Sequence, residues 1–143
     1  MLAFRKAGWL GVAAVALAVA CSDDTGPSED ELVGTWNATK LEFVGGGLTI
    51  DVIAFGATLE MVLRSDQTYT ITLGFPGEPS ETETGTWSAS KDVLTLSDSD
   101  GEMQFDMSLS GNTLSLANAD GEFDVDDDGV DEPVKVNLTL VKE

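Results

Sequence analysis

From Leu32 onward, apolar and polar residues alternate with a period of two. Leu59, Met61 and Leu63 interleave with Thr58, Glu60 and Arg64, and Tyr69, Ile71, Leu73 and Phe75 with Thr68, Thr70 and Thr72. The same holds for Met103, Phe105, Met107 and Leu109 among Glu102, Gln104, Asp106 and Ser108. It holds again for Val134, Val136, Leu138 and Leu140 among Lys135, Asn137 and Thr139. Successive side chains of a strand point to opposite faces, so each run predicts a strand with one buried and one wet face. Turn formers separate the runs: Ser65-Asp66, Ser90-Lys91-Asp92, Asp98-Ser99-Asp100-Gly101 and Ser110-Gly111-Asn112. The predicted strands span 33–44, 57–64, 67–75, 83–89, 93–97, 102–109, 113–118 and 133–142, eight in all. Short links favour antiparallel neighbours in sequence order. The fold class is therefore all-β, a small eight-stranded antiparallel up-and-down barrel, because closure leaves no exposed edge. A two-sheet β-sandwich is the alternative.

Two places disturb the alternation. Trp36 and Ala38 share one parity, Leu41 and Phe43 the other, so a bulge or sharp bend is expected between them. Gly45-Gly46-Gly47 then leads into the apolar segment 48–55, which reads as a lid over a barrel mouth or an extra strand, with a short helix as a third option.

The N-terminus follows another pattern. Arg5 and Lys6 precede a twelve-residue run of apolar residues and Gly, Trp9 to Ala20. That is the architecture of a secretory signal peptide. As a helix the run rises ~18 Å, too little for a bilayer core of ~30 Å. It ends Leu17-Ala18-Val19-Ala20-Cys21, which resembles the bacterial lipobox, with Ala18 where the strongest examples carry Leu. The resemblance implies cleavage after Ala20, lipidation of Cys21 and a membrane anchor. An ordinary signal peptide that leaves a free Cys21 is the plainer reading. Ser22 after the cysteine resembles outer-membrane sorting signals and leaves periplasmic and surface-facing placements open. Residues 1–20 are thus read as signal peptide, 21–31 as lipidated cysteine and flexible acidic tether, and 32–143 as the folded domain.

Charge narrows the function. The 143 residues carry 7 Lys and Arg against 26 Asp and Glu, a net charge of −19. Cleavage after Ala20 removes two of the basic residues and no acid, taking the balance to −21. Such a chain offers no basic face to a phosphate backbone, so no nucleic-acid partner is expected. With no His and a single Cys, His-containing zinc sites, Ser-His triads and Cys-His dyads are ruled out by inventory, as is a disulfide within the chain. No Gly-x-Ser-x-Gly elbow occurs, and no enzyme is expected.

Leu32-Val33-Gly34-Thr35-Trp36 opens the first strand, and Gly85-Thr86-Trp87 recurs before Val93-Leu94-Thr95-Leu96. These residues resemble the bacterial lipocalin-like lipoprotein domains over roughly 31–142. The resemblance implies a barrel in which Trp36 plugs the closed end and Gly34 lets the chain pass beneath it, with Gly85 and Trp87 as the second copy. It also implies a basic residue of the last strand, Lys135 or Lys142, over that tryptophan. The plain reading makes both tryptophans core residues.

Two candidate sites remain. Asp124, Asp126, Asp128, the carbonyl of Val130 and Glu132, with Gly129 at the sharp turn, follow the first nine positions of a calcium loop. Position twelve is Lys135 in place of the bidentate Glu, so the pattern is not an EF-hand, and a weak Ca2+ site is expected. A solvated acidic hairpin tip is the alternative. On the inner face, Met61, Tyr69, Ile71, Phe105 and Met107, with Phe55 from the segment 48–55, are the candidates for an apolar ligand pocket. An eight-stranded barrel can equally be filled by its own side chains. The leading expectation is a monomeric, lipid-anchored envelope protein that binds a small apolar or amphipathic ligand without catalysis. The alternative is an envelope interaction module with a filled barrel and a calcium-stabilised loop.

Overall fold

The computed structural model describes residues 26–143 and the backbone of one two-residue strand, β1 (Arg5–Lys6), which lies antiparallel to the chain at Gly121 and Glu122. The rest of the segment read as a signal peptide, and Cys21, lie outside the described residues. Among the described residues no helix is long and apolar enough to cross a membrane.

One turn of helix, α1 (Glu29–Leu32), precedes the sheet. Ser28 caps it: its Oγ accepts from Glu31 N–H while the Glu31 carboxylate accepts from Ser28 N–H, a reciprocal capping box. These residues belong to the segment expected as tether. The turn ends on Leu32, which is fully buried.

The strands then follow in order: β2 (Gly34–Gly45), β3 (Leu48–Asp51), β4 (Thr58–Leu63), β5 (Thr68–Gly74), β6 (Glu81–Ser90), β7 (Val93–Asp98), β8 (Gly101–Ser110), β9 (Thr113–Phe123) and β10 (Glu132–Lys142). Apart from β3, each pairs antiparallel with its sequence neighbour, and β10 pairs with β2. The sheet is therefore a closed eight-stranded up-and-down barrel, and the sandwich alternative falls. Alternation supplies the core: Leu59, Met61 and Leu63, Met103, Phe105 and Met107, and Val134, Val136, Leu138 and Leu140 are all buried. Among the described residues no polar or charged side chain is buried.

Two bulges interrupt the alternation. Opposite β10, the β2 register jumps from Lys40 to Ala38, leaving Thr39 as the extra residue. That flips parity between Trp36 and Leu41, as the pattern predicts. A second bulge lies in β9, where Val136 faces Ala119 but Leu138 faces Leu116. Asn118 takes φ 63° there. Its N–H donates to Asn137 Oδ1 at 2.9 Å and its side-chain amide to Asp106 Oδ2 at 2.8 Å. The predicted strand 113–118 thus continues to Phe123 on switched parity, with Ala119 and Phe123 buried.

Segment 48–55 forms strand β3, laid against the upper part of β2, and a short 3-10 turn, η1 (Ile53–Phe55). Asp51 Oδ1 ties it down by accepting from Leu41 N–H and Ile53 N–H, both at 3.1 Å. Val52 and Ala57 are buried beneath it, while Phe55 is 77% exposed.

Candidate functional site

The barrel has two unlike ends. At one, the links 63–68, 90–93 and 110–113 are tight, and the α1 turn packs across. Trp36 is fully buried there, its indole N–H donating to the Leu32 carbonyl at 2.8 Å. Lys142 Nζ sits 5.4 Å from the Trp36 ring centroid, a cation–π contact, and donates to the Glu31 carbonyl at 3.2 Å. Of the two basic residues of the last strand, Lys142 covers this tryptophan, whereas Lys135 pairs with Asp120 on the outer face. The Trp87 indole N–H donates to the Arg64 carbonyl at 2.9 Å, so each Gly-Thr-Trp tryptophan ties its strand to a neighbouring segment by a backbone carbonyl. Gly34 lies under the Lys142 side chain: a Cβ at Gly34 would meet Lys142 Cε at 2.7 Å.

The opposite end carries the longer connections 45–58, 74–81 and 123–132. The barrel interior beneath them contains a cavity of about 440 Å³. Its walls are Leu41, Val136 and Leu138 on one side and Leu59, Ile71 and Leu73 on the next. Leu96, Met103 and Phe105 complete the apolar lining. A hollow of this size, apolar with few polar groups, is the form of a small-molecule site.

The polar part of the wall comes from β6, through Glu81, Thr82 and Glu83. Residues 81, 83, 85 and 87 share one parity, and Trp87 fixes that face as the inner one. The Tyr69 hydroxyl donates to Glu83 Oε1 at 2.6 Å. Burial, then acceptance by the Glu83 carboxylate and its negative charge, push the phenol far above its ordinary range, so it stays a donor. Gly85 makes this possible, because a Cβ there would meet the Ser97 carbonyl oxygen at 2.1 Å and the Tyr69 ring at 2.8 Å. The ring lies where a side chain would stand.

The sequence candidates divide among these places. Ile71 and Phe105 line the cavity. Met61 and Tyr69 are fully buried, Met61 in register with Trp36, and neither borders the hollow. Met107 borders a second hollow outside the closed end, beside Pro27, Glu31 and Lys91. Phe55 does not border the cavity; its segment pairs with Glu42–Gly45 of β2 as the extra strand the sequence allowed, and none of residues 48–55 lines the hollow. Sequence reasoning noticed Glu81 and Glu83 only as an acid pair, expected by chance in so acidic a chain, and did not assign them to the pocket. The signal was present, two acids on the inner parity of a strand that ends in Trp87.

The acidic loop 124–132 sits at the open end. Carboxylate oxygens of Asp124, Asp126, Asp128 and Glu132 all lie within 4.8 Å of one another, so this cluster can hold a metal ion. Backbone N–H groups shape it: Asp128 and Gly129 donate to the Asp124 carboxylate at 3.1 and 2.8 Å, and Val125 donates to Glu132 Oε2 at 3.0 Å. Gly129 at φ 87° makes the sharp turn the pattern requires. The Val130 side chain is exposed. Partial desolvation within the loop, then the charges of Asp128 and Asp124, hold the Asp126 carboxyl above the usual carboxylate range.

A family model described as a lipocalin-like domain matches residues 32–116, more than half of the chain. No curated protein matches it.

Proposed function

Since the chain belongs to the lipocalin-like domain family, we propose that it is an envelope protein that holds a small apolar or amphipathic molecule in the upper half of its barrel, without chemistry. The observation that carries this reading is the 440 Å³ hollow inside the closed sheet, walled mainly by Leu, Ile, Val, Met and Phe. A barrel filled by its own side chains would leave no such space. The rest of the proposal comes from the sequence. Lipidation of Cys21 would anchor the monomer to the bacterial outer membrane, and the acidic residues before Ser28 would hold the domain off an anionic surface. The loop 124–132 would take Ca2+ weakly through Asp124, Asp126, Asp128, the Val130 carbonyl and Glu132, fixing the rim of the mouth.

Native mass spectrometry of the protein purified from a bacterial host, with and without chelator, tests all three elements. Expected are a co-purifying apolar ligand, a diacylglycerol-modified cysteine at the N-terminus and a calcium adduct that chelator removes. A ligand-free protein that still refuses added apolar compounds overturns the carrier reading. Calcium without any ligand uptake favours an interaction module. An unmodified Cys21 overturns the anchor, and no calcium adduct at millimolar Ca2+ overturns the metal loop.

A further inference from the structure

One wall of the apolar cavity carries carboxylates. Glu83 is on the inner face of β6, in register with Ile71, and its side chain borders the hollow. The Tyr69 hydroxyl fixes its position at 2.6 Å. Glu81 stands one inner position nearer the mouth, opposite Leu73, and also lines the hollow. Apolar walls on most strands and an oriented carboxylate on β6 give the hollow two unlike sides.

The open end amplifies this sign. The segments 45–58, 74–81, 98–101 and 123–132 carry eleven Asp and Glu and no Lys or Arg. Of the basic residues of the described barrel, Arg64, Lys91 and Lys142 lie at the closed end and Lys40 midway along β2, while Lys135 stands near the open end on the outer face, paired with Asp120. Arg5 and Lys6 belong to the segment that the lipoprotein reading removes. A cleft lined by one sign of charge with low-dielectric walls concentrates the opposite ion and repels the same sign.

Resting on the carrier reading above, we propose that the cargo is a cationic amphiphile, an apolar chain or ring system bearing one protonated amine, with its ammonium on Glu83 and its apolar part among Ile71, Phe105 and Leu138. An ammonium supplies donors to a carboxylate that already accepts from Tyr69, and charge-assisted hydrogen bonds are the strong ones. A fatty acid would place its own carboxylate against Glu83 and Glu81 and is selected against. A neutral alcohol fills the hollow without the charge contact.

Calorimetric titration of the purified protein with decylamine, decanol and decanoate, at one pH and low salt, tests this. The amine is expected to bind about tenfold more tightly than the alcohol, the gain from one charge-assisted hydrogen bond, and decanoate most weakly. Glu83→Gln keeps an oxygen for the Tyr69 hydroxyl, so the fold is retained, and a melting curve checks it. In that variant the preference for amine over alcohol falls to about threefold or less, since a neutral acceptor is roughly half as effective. Equal affinity for amine and alcohol in the unaltered protein overturns the proposal while leaving the carrier reading intact. So does a preference that survives in Glu83→Gln. Failure of all three compounds to bind overturns the carrier reading itself, and this proposal with it.

Discussion

Gly85 places a functional group by having no side chain. The Tyr69 ring occupies the space over it, and the ring in turn carries the hydroxyl to Glu83. Gly85→Ala drives a Cβ into the Ser97 carbonyl, a backbone atom that cannot step aside. Chemical denaturation should show a loss of about 3 kcal/mol, the upper part of the range for overpacking. A loss within experimental error would mean that the close approach is not maintained in solution. Asp51 is the second residue of this kind. One carboxylate oxygen accepts from Leu41 and Ile53 N–H, so Asp51→Ala orphans two half-buried donors. The expected cost is about 2 kcal/mol, with faster hydrogen exchange confined to those two amides and their neighbours. Neither role was legible in the sequence. Gly85 was visible there only as part of a repeated Gly-Thr-Trp. Its reason lies across the β5–β6 ladder, in a register that no local pattern encodes.

At the scale of elements the sequence was far more legible, because a half-buried strand writes its two faces into alternate residues. The eight predicted strands are the eight of the barrel, within two residues at each end except for β9, which runs five residues further. The bulge in β2 could be anticipated from the clash of parity between Trp36 and Leu41. The bulge in β9 could not. Leu114 and Leu116 set one parity, and past Asn118 the inner positions are Ala119, Gly121 and Phe123, too small a signal to show that the strand resumes. Asn118 tests the device. Its positive φ suits Asn or Gly, so Asn118→Gly should cost less than Asn118→Ala, which meets backbone strain as well as the lost side-chain hydrogen bond to Asp106. Equal losses would place the cost in the side-chain amide alone. The segment 48–55 was ambiguous because its apolar run suits a strand and a short helix equally, and a strand and a 3-10 turn both occur, joined by Asp51 and Val52.

The acidic loop is an element whose stability depends on protonation and, under the proposed Ca2+ reading, on metal. Asp126 binds its proton more readily in the folded loop than in an unfolded chain, so protonation favours the fold. That contribution is present at low pH and is lost as pH rises through the raised carboxylate range. Without metal, Asp126→Asn should therefore melt at a higher temperature than the unaltered protein at neutral pH, and the difference should close on acidification. Millimolar Ca2+ should raise the melting temperature of the unaltered protein and do so less in the variant. A variant that is destabilised at neutral pH without metal would contradict this account of the loop.

Across the whole molecule, charge and packing divide the barrel along its axis. Tryptophans, tight links and the α1 turn close one end, where Arg64, Lys91 and Lys142 gather. The other end is wide, acidic and hollow beneath. A chain at −19 repels itself, so moderate salt should raise the melting temperature of the metal-free protein by screening. A melting temperature that falls with added salt would show that attractive pairs dominate instead. The closed barrel followed from the strand pattern, and the family from the Gly-Thr-Trp sequences, but the hollow did not. Ile71 and Phe105 line it, whereas Met61 and Tyr69, on the same inner face, are packed at the closed end. Which inner residues meet a void depends on the height of each along the barrel, and that is set by register rather than by alternation.

The most direct test of the carrier account is a calorimetric titration of decanol into the protein, set beside a variant in which Ile71→Trp fills the hollow from its wall. The account predicts saturable one-to-one binding to the unaltered barrel and none to the folded variant. No saturable binding to the unaltered barrel, or equal binding to both, would contradict it.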